Sequence, residues 1–537
     1  MQPPPGFGGT FRIDDRARAA YAEGAGIFRI IPSAVALPRS PGDLEALIAW
    51  ARAEGVGLVP RGAGSSMGGG SVGPGVVVDL RAMADRTCTV NPDTGHARTA
   101  ASLTLAELNE QAVLARLRLP PDPSSSRWAT AGGAVSCNAA GARTLRYGPV
   151  RRWVTALDVV TGTGECLTLR RGLPAPERFE LGTAPAIRAA AGLIQSRFPR
   201  TAKNTCGYAL DQFLLTGDLL DLFVGAEGTL GFITAVEWRL DRIPASVGAL
   251  RVDLPSLDGL GDAVEALLRA SPSAVELLDR TFLDLVRGSQ RAHLPPVGTE
   301  AVLLVEVERE SAAAMRGAVG DAVRLVSPLA LGVETALLGE EIQALWALRH
   351  AASPMLARQP VTRRSMQVIE DGCVPLPALG QYIRFLRERS RAHGLDVVLF
   401  GHAGDGHVHV NLLPDTTRPG WDAEVETLLQ EVTDEVIRLG GTPSGEHGDG
   451  RLRARFVERL YGAGVMGLFR QVKDTFDPDG VLNPGVKLSA GQPVLGPFKV
   501  GAAAAPLPAD IEAELRRIEV EGGYARARLE IADRGTS

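Results

Sequence analysis

Between residues 401 and 409 the chain reads Gly-His-Ala-Gly-Asp-Gly-His-Val-His, and this run restricts the fold more than any other. His402 and His409 are seven positions apart, so on one uninterrupted strand their side chains would point to opposite faces. A turn must therefore fall between them. Gly404-Asp405-Gly406 can make it, because glycine accepts positive φ without a Cβ clash, and residues 397–400 then converge with residues 407–412. His407 and His409 share a face if the second segment is extended.

A second glycine-framed turn, Ser444-Gly445-Glu446-His447-Gly448-Asp449-Gly450, follows. The two turns hold four of the chain's eight histidines and a glutamate. Imidazoles with one carboxylate are a normal ligand set for zinc or a similar divalent ion, and an open coordination position can hold a substrate oxygen. His447 is a spare base beside that set. The spacing leaves either His402/His409 or His407/His409 as the imidazole pair, and it lacks the HExxH pattern of helical metalloproteases. The bland alternative is a set of hydrogen-bonded turn histidines, against which stands the tendency of clustered titratable groups to mark function.

At 537 residues the chain is long enough for two or more domains. Its 57 basic and 62 acidic residues leave a net charge of −5, which gives no support to a nucleic-acid groove or an anionic membrane surface. Apolar stretches are broken by charge, Gly or Pro well before the ~18 residues a membrane helix needs. The start, MQPPPGFGGTFRIDD, lacks a basic segment followed by an apolar one and does not read as a secretory signal. The expected location is therefore the cytoplasm, at most peripheral to the inner face of a membrane through a partner. Cysteines 88, 137, 166, 206 and 373 are scattered without CxxC spacing, which fits small packed residues better than an iron–sulfur or thiolate zinc site.

The N-terminal half is punctuated by small residues. Residues 40–55 read as a helix capped by Ser40 and Asp43, with Leu44, Leu47, Ile48 and Ala51 on one face. A short strand at 56–60 leads to Arg-Gly-Ala-Gly-Ser-Ser-Met-Gly-Gly-Gly (61–70), and a strand at 76–80 follows. Such a loop can turn successive backbone N–H groups toward one anion. It has neither the Gly-Lys-Ser/Thr ending of a Walker loop nor the helix that follows a Rossmann fingerprint. Residues 120–141 and 223–234 offer two further small-residue segments, and three of them can line the long, narrow slot an extended dinucleotide requires.

The segments PRGAGSSMGGG, ATAGGAVSCNAAG, GAEGTLGFIT, GHAGDGHVH, SGEHGDGR and FDPDGVLNPG stand in the order found in the vanillyl-alcohol-oxidase-type flavoprotein superfamily. From about residue 20 to 490 the chain most resembles its FAD-linked D-2-hydroxyacid dehydrogenases, the group of D-lactate and D-2-hydroxyglutarate dehydrogenases and the glycolate oxidase flavin subunit. The resemblance implies that Arg61, Gly62, Ala63, Gly64, Ser65 and Ser66 cradle the FAD pyrophosphate. Gly132, Gly133, Asn138, Gly141, Glu227, Gly228 and Ile233 would complete the flavin slot, and Asn483 would approach the isoalloxazine. It also implies His402, His409 and Glu446 as ligands of a divalent metal, zinc or manganese, and His447 as catalytic base. His407 stands where relatives often have asparagine. Arg349 matches an arginine that binds the substrate carboxylate, against a bland reading as a helix-surface residue. The loop has no histidine for covalent flavin attachment, so FAD is expected to be non-covalent.

The implied reaction is metal-assisted oxidation of a D-2-hydroxyacid to the 2-oxoacid, with hydride going to flavin N5. Hydroxyglutarate-type enzymes carry a lysine near the segment that here reads Val-Ile-Glu-Asp-Gly-Cys-Val-Pro (368–375), which has none. A monocarboxylate such as D-lactate or glycolate is expected instead, with Asp371 capping the turn. The expected fold is α+β: a two-part FAD-binding domain of the PCMH type (1–243), a cap domain with an antiparallel sheet and C-terminal helices returning to the flavin (244–490), and a linker with a short charged helix (491–537). Residues 421–439 read as a helix whose stripe of Val425, Leu428, Leu429, Val432 and Val436 belongs to a core. The expected partners are a small 2-hydroxyacid and a separate electron acceptor: an iron–sulfur subunit, an electron-transfer flavoprotein or a quinone-linked protein. A homodimer is an option. The rivals are a metal-independent oxidase using oxygen, a flavin-bearing subunit of a larger redox complex, and a metallohydrolase, which leaves the glycine loops unexplained.

Overall fold

Three short parallel strands, an antiparallel edge strand and a well-capped helix build the first layer. In the computed structural model, which describes residues 1–287, 294–489 and 495–534, Thr10–Arg12 (β1), Ala34–Leu37 (β2), Leu58–Arg61 (β3) and Val76–Asp79 (β4) form a sheet in the order β1-β2-β4-β3. Asp15–Ala20 (α1) follows the first strand. Pro41–Glu54 (α2) begins where Ser40 and Asp43 close a capping box, and ends at Gly55 in the left-handed region, φ 65°. Leu44, Leu47, Ile48 and Ala51 are buried, as the apolar spacing predicts.

The second layer is an antiparallel sheet of Cys88–Asn91 (β5), His96–Ala100 (β6), Val154–Thr161 (β7), Cys166–Arg170 (β8) and Gly231–Arg239 (β9), ordered β5-β6-β9-β7-β8. Its core includes Leu105, Leu157, Val159, Trp238 and, from much later in the chain, Val465, Phe469 and Phe476. Ala131–Ser136 (α3) packs against it, opened by the Thr130 side chain, which accepts from Gly133 N.

The cap is a seven-stranded sheet of Ser246–Leu254 (β10), Ala274–Asp279 (β11), Ala301–Arg309 (β12), Gly332–Ala336 (β13), Gly372–Cys373 (β14), Asp396–His402 (β15) and His407–Leu413 (β16). The order is β13-β10-β12-β11-β15-β16-β14, and every pairing is antiparallel. Gly339–His350 (α4) and Trp421–Arg438 (α5) flank it, and the α5 stripe from Val425 to Val436 is core as expected. The chain then returns to the first sheet: Leu58 N donates to Val481 O at 2.7 Å, and Asn483 N to Leu58 O at 2.7 Å.

The C-terminal tail is better integrated than a linker with a charged helix. Ala509–Glu521 (α6) and Arg528–Asp533 (α7) place Ile511, Leu515, Ile518, Tyr524 and Ile531 in one core with Tyr21, Val35, Val59 and Val77. Residues 490–494, where the expected 490/491 boundary falls, and 535–537 lie outside the described residues. All five cysteines are free thiols. No described helix is long and apolar enough to cross a membrane.

Candidate active site and cofactor cavity

A cavity of about 1030 Å³ runs from the first sheet to the cap. Its walls bring together segments far apart in sequence: residues 60–71, 122–143, 227–233, the cap helix α4, and both histidine turns. Close approach between walls depends on missing side chains. A Cβ at Gly62 would sit 2.4 Å from Thr130 Oγ1, and one at Gly228, φ 70°, would sit 2.6 Å from Pro60.

Of the residues expected to hold the dinucleotide, Arg61, Gly62, Ala63, Gly64, Ser65, Ser66, Gly132, Gly133, Gly141, Glu227, Gly228 and Ile233 line this cavity. Ser66 Oγ is buried without a hydrogen-bond partner among the described residues, a polar group of the kind a bound cofactor satisfies. The Arg61 guanidinium turns beneath its loop, donating from Nη2 to Glu23 O at 2.9 Å and resting 5.4 Å over the Tyr21 ring. Asn138 and Asn483 stand behind the wall. Asn138 Oδ1 accepts from Arg151 N at 3.0 Å, and Asn483 Nδ2 donates to Gly70 O at 2.9 Å and Glu227 O at 2.8 Å. Both have positive φ, so they act as turn residues bracing two cofactor segments. Glu227 fastens the second histidine turn, accepting from Asp449 N (2.7 Å) and Gly450 N (2.9 Å).

The first histidine turn is the hairpin β15–β16, closed at Gly406 with φ 71°. It brings His402 Nε2 to 3.4 Å from His409 Nε2, while Glu446 Oε1 comes to 3.2 Å and 3.4 Å of these two atoms. The other ring nitrogens explain why these three face each other. His402 Nδ1 lies 2.5 Å from Glu276 Oε1 and His409 Nδ1 lies 3.1 Å from Glu370 O, so each ring donates outward from Nδ1 and turns an Nε2 lone pair inward. Three such groups facing one another could hold a divalent cation between them. Metal bonds of about 2.05 Å at a tetrahedral ion set neighbouring donors about 3.3 Å apart, which matches the observed separations.

His407 belongs to the same group of potential ligands, but it is fully buried and its Nε2 lies 2.9 Å from Asp371 Oδ1. Its Nδ1 is 4.0 Å from Glu446 Oε2, and His407 is absent from the cavity wall that His402 and His409 share. His447 does line the cavity, with Nε2 3.6 Å from Glu446 Oε1 and Nδ1 2.5 Å from Glu370 Oε2. Burial alone would lower the His447 pKa, but the Glu370 and Asp371 carboxylates push it up to about 10. Burial would likewise raise Glu446, yet the Lys203 charge and the imidazoles of His402 and His407 hold its carboxyl well below the usual range. Arg349 donates from Nε to Glu276 Oε2 at 2.9 Å and lies 4.5 Å over the Phe400 ring.

Residues 32–170 match the family description "FAD binding domain", and residues 243–486 match "FAD linked oxidases, C-terminal domain". The chain belongs to the FAD-linked oxidase family. It is 28% identical to glycolate oxidase subunit GlcD of Bacillus subtilis, over 85% of this chain and 89% of that protein. It is 27% identical to D-lactate dehydrogenase of Archaeoglobus fulgidus, over 84% and 90% respectively. A third relative, D-2-hydroxyglutarate dehydrogenase of Escherichia coli, is 27% identical over 89% of this chain, which spans about half (50%) of that longer protein. Among solved structures, 4-ethylphenol oxidase from Gulosibacter chungangensis superposes with a TM-score of 0.65 at 16% identity, covering 89% of this chain and 94% of that one, a likeness of fold.

Within this FAD-linked oxidase fold, several site residues escaped the sequence reading. Glu276 joins His402 to Arg349, Glu370 holds His447, and Lys203 Nζ donates to Glu446 Oε2 at 2.6 Å while lying 3.4 Å from Asp405. Asp371 caps the second turn as expected, accepting from Glu446 N and His447 N at 3.0 Å each. Glu370 was within reach of prediction, since it adjoins that cap. Glu276 and Lys203 carried no local signal.

Proposed function

We propose that this chain oxidises a 2-hydroxymonocarboxylate, a D-2-hydroxyacid such as D-lactate or the achiral glycolate, to the 2-oxoacid with FAD and a divalent metal. The observation that carries the reading is the convergence of His402 Nε2, His409 Nε2 and Glu446 Oε1 beside His447, in the cavity that the glycine loops also line. FAD bound along those loops supplies a two-electron acceptor for the hydride of C2. A divalent ion on His402, His409 and Glu446 supplies Lewis acidity toward the substrate hydroxyl and a positive charge opposing the carboxylate field that raises His447.

The protein's own groups divide the remaining work. With Nε bonded to Glu276 and the guanidinium resting over the Phe400 ring, Arg349 would offer Nη1 and Nη2 to the substrate carboxylate. Glu370 accepts a hydrogen bond from the Nδ1–H of His447, which leaves Nε2 of the neutral imidazole to receive the hydroxyl proton as C2 gives up its hydride. Closure of the cavity by cap and FAD-binding domain, which we place at 244–490 and 1–243, excludes water from that transfer. Zinc and manganese both suit two imidazoles and a carboxylate. Electrons then leave to a separate acceptor, an iron–sulfur, electron-transfer-flavin or quinone-linked protein. Support comes from the relatives named as dehydrogenases and as an oxidase subunit.

The test is formation of the 2-oxoacid by FAD-loaded, metal-replete protein with an artificial dye as acceptor, comparing D- and L-2-hydroxyacids. The expected result is product from the D series with little oxygen consumption. Absence of product from every 2-hydroxyacid overturns the reading, and rapid turnover with oxygen alone overturns the separate acceptor.

A further inference from the structure

The cap wall of the cavity says what lies beyond C2 of the substrate. On α4, Ile342, Trp346 and Arg349 follow the i, i+4, i+7 spacing of one helix face, and all three line the cavity. Trp346 precedes Arg349 by three residues, about 4.5 Å along the helix axis. A carboxylate held by Arg349 therefore sets the rest of the molecule beside the indole. Phe400 lines the same cavity, its ring under the Arg349 guanidinium. His350 stacks on Trp346, with ring centroids 6.1 Å apart and planes 30° apart.

Arg143 and Arg349 on this wall are both ion-paired. The arginine side chains lining the cavity, among the described residues, are Arg61, Arg143 and Arg349. Arg61 is bonded beneath its loop. Arg143 is fully engaged, donating from Nε and Nη2 to Glu306 at 2.7 and 2.9 Å, and from Nη1 to Asp122 at 2.9 Å. Partial burial and the Arg349 charge push His350 down, so it adds no charge at neutral pH. A second carboxylate beside α4 would thus find Arg143 already engaged and would approach Glu276 and Glu306.

We propose that Trp346, with Ile342 and Phe400, forms an apolar side-chain pocket one turn from Arg349, and that the preferred substrate is a D-2-hydroxymonocarboxylate with a bulky branched or aromatic side chain. This rests on the 2-hydroxyacid reading above and names its substrate class. An apolar group filling such a pocket gains contact with every added carbon, whereas the methyl of lactate leaves most of it unfilled.

Anaerobic flavin reduction by D-phenyllactate, D-2-hydroxyisocaproate, D-lactate and D-2-hydroxyglutarate, with the wild type and Trp346→Ala, tests it. The expected kcat/KM is at least about tenfold higher for the two bulky acids than for D-lactate, with hydroxyglutarate the poorest. Trp346→Ala should lower that ratio at least about tenfold and Trp346→Phe should restore part of it. Inhibition constants of phenylpyruvate and pyruvate should show the same order without depending on turnover. A ratio at or below one, or one unmoved by Trp346→Ala in folded, FAD-loaded protein, overturns the pocket and leaves the hydroxyacid reading standing. No reduction by any of the four acids sinks both.

Discussion

In the metal-bound state proposed above His447 works as a neutral imidazole, and its neighbours decide which nitrogen is left to work. With Glu370 on Nδ1, Nε2 is the free position, so His447→Gln should slow flavin reduction by about 10²–10⁴-fold while leaving the FAD absorbance of the purified protein intact. Glu370→Gln should cost less, about 10–100-fold, because the imidazole remains while its orientation and basicity are lost. Lys203→Met acts on a different quantity. It removes the charge that holds Glu446 ionised, and metal content measured after dialysis should show an affinity about 10–100-fold weaker. Unchanged metal affinity would contradict that role. His402, His409, Glu446 and His447 were legible in the sequence because glycines frame them in two short turns. Glu276 and Lys203 were not, since they lie 126 and 243 positions from the site residues they contact, and such neighbours are set by sheet order rather than by local pattern.

Elements with strong local signals came out where the sequence placed them. Ser40, Asp43 and Gly55 mark both ends of α2, and Gly406 fixes the turn between β15 and β16. The strand order of the cap had no such signal: β11 pairs with β15 across more than a hundred intervening residues. The helix of the tail stands where the sequence places it, but its packing had no local signal. A helix with many charges looks solvated in sequence, but Ile511, Leu515 and Ile518 form one stripe that reaches a core only when β2, β3 and β4 are assembled. Leu515→Ala should therefore cost about 2–5 kcal/mol in urea unfolding, the range for truncating a buried leucine. A change within about 0.5 kcal/mol, as for a surface position, would contradict the packed tail.

At the scale of the whole molecule, the two lobes are joined by buried ion pairs as well as by the cavity they share. Arg118 donates from Nη1 and Nη2 to Glu308 at 2.9 Å each, the Tyr147 hydroxyl donates to the same carboxylate, and Arg143 grips Glu306 on the same strand, β12. Burial would raise the Glu308 pKa, but the bonds from Arg118 and Tyr147 outweigh it and hold the carboxyl below its ordinary value. Because the folded-state value is depressed, the stabilisation is complete above the unfolded value near ~4.3 and is lost as pH falls through the folded one. Glu308→Ala should lower stability at neutral pH by about 3–5 kcal/mol and flatten the acid limb of a stability–pH profile. On the function proposed, the lobes enclose a flavin slot and a two-histidine, one-glutamate site that act together on a D-2-hydroxyacid. The direct test is anaerobic bleaching of the flavin absorbance by D- and L-2-hydroxyacids, before chelation, after chelation, and after zinc or manganese is restored. Bleaching by the D-acid that disappears on chelation and returns with the metal is the predicted result; bleaching that survives complete metal removal would contradict it.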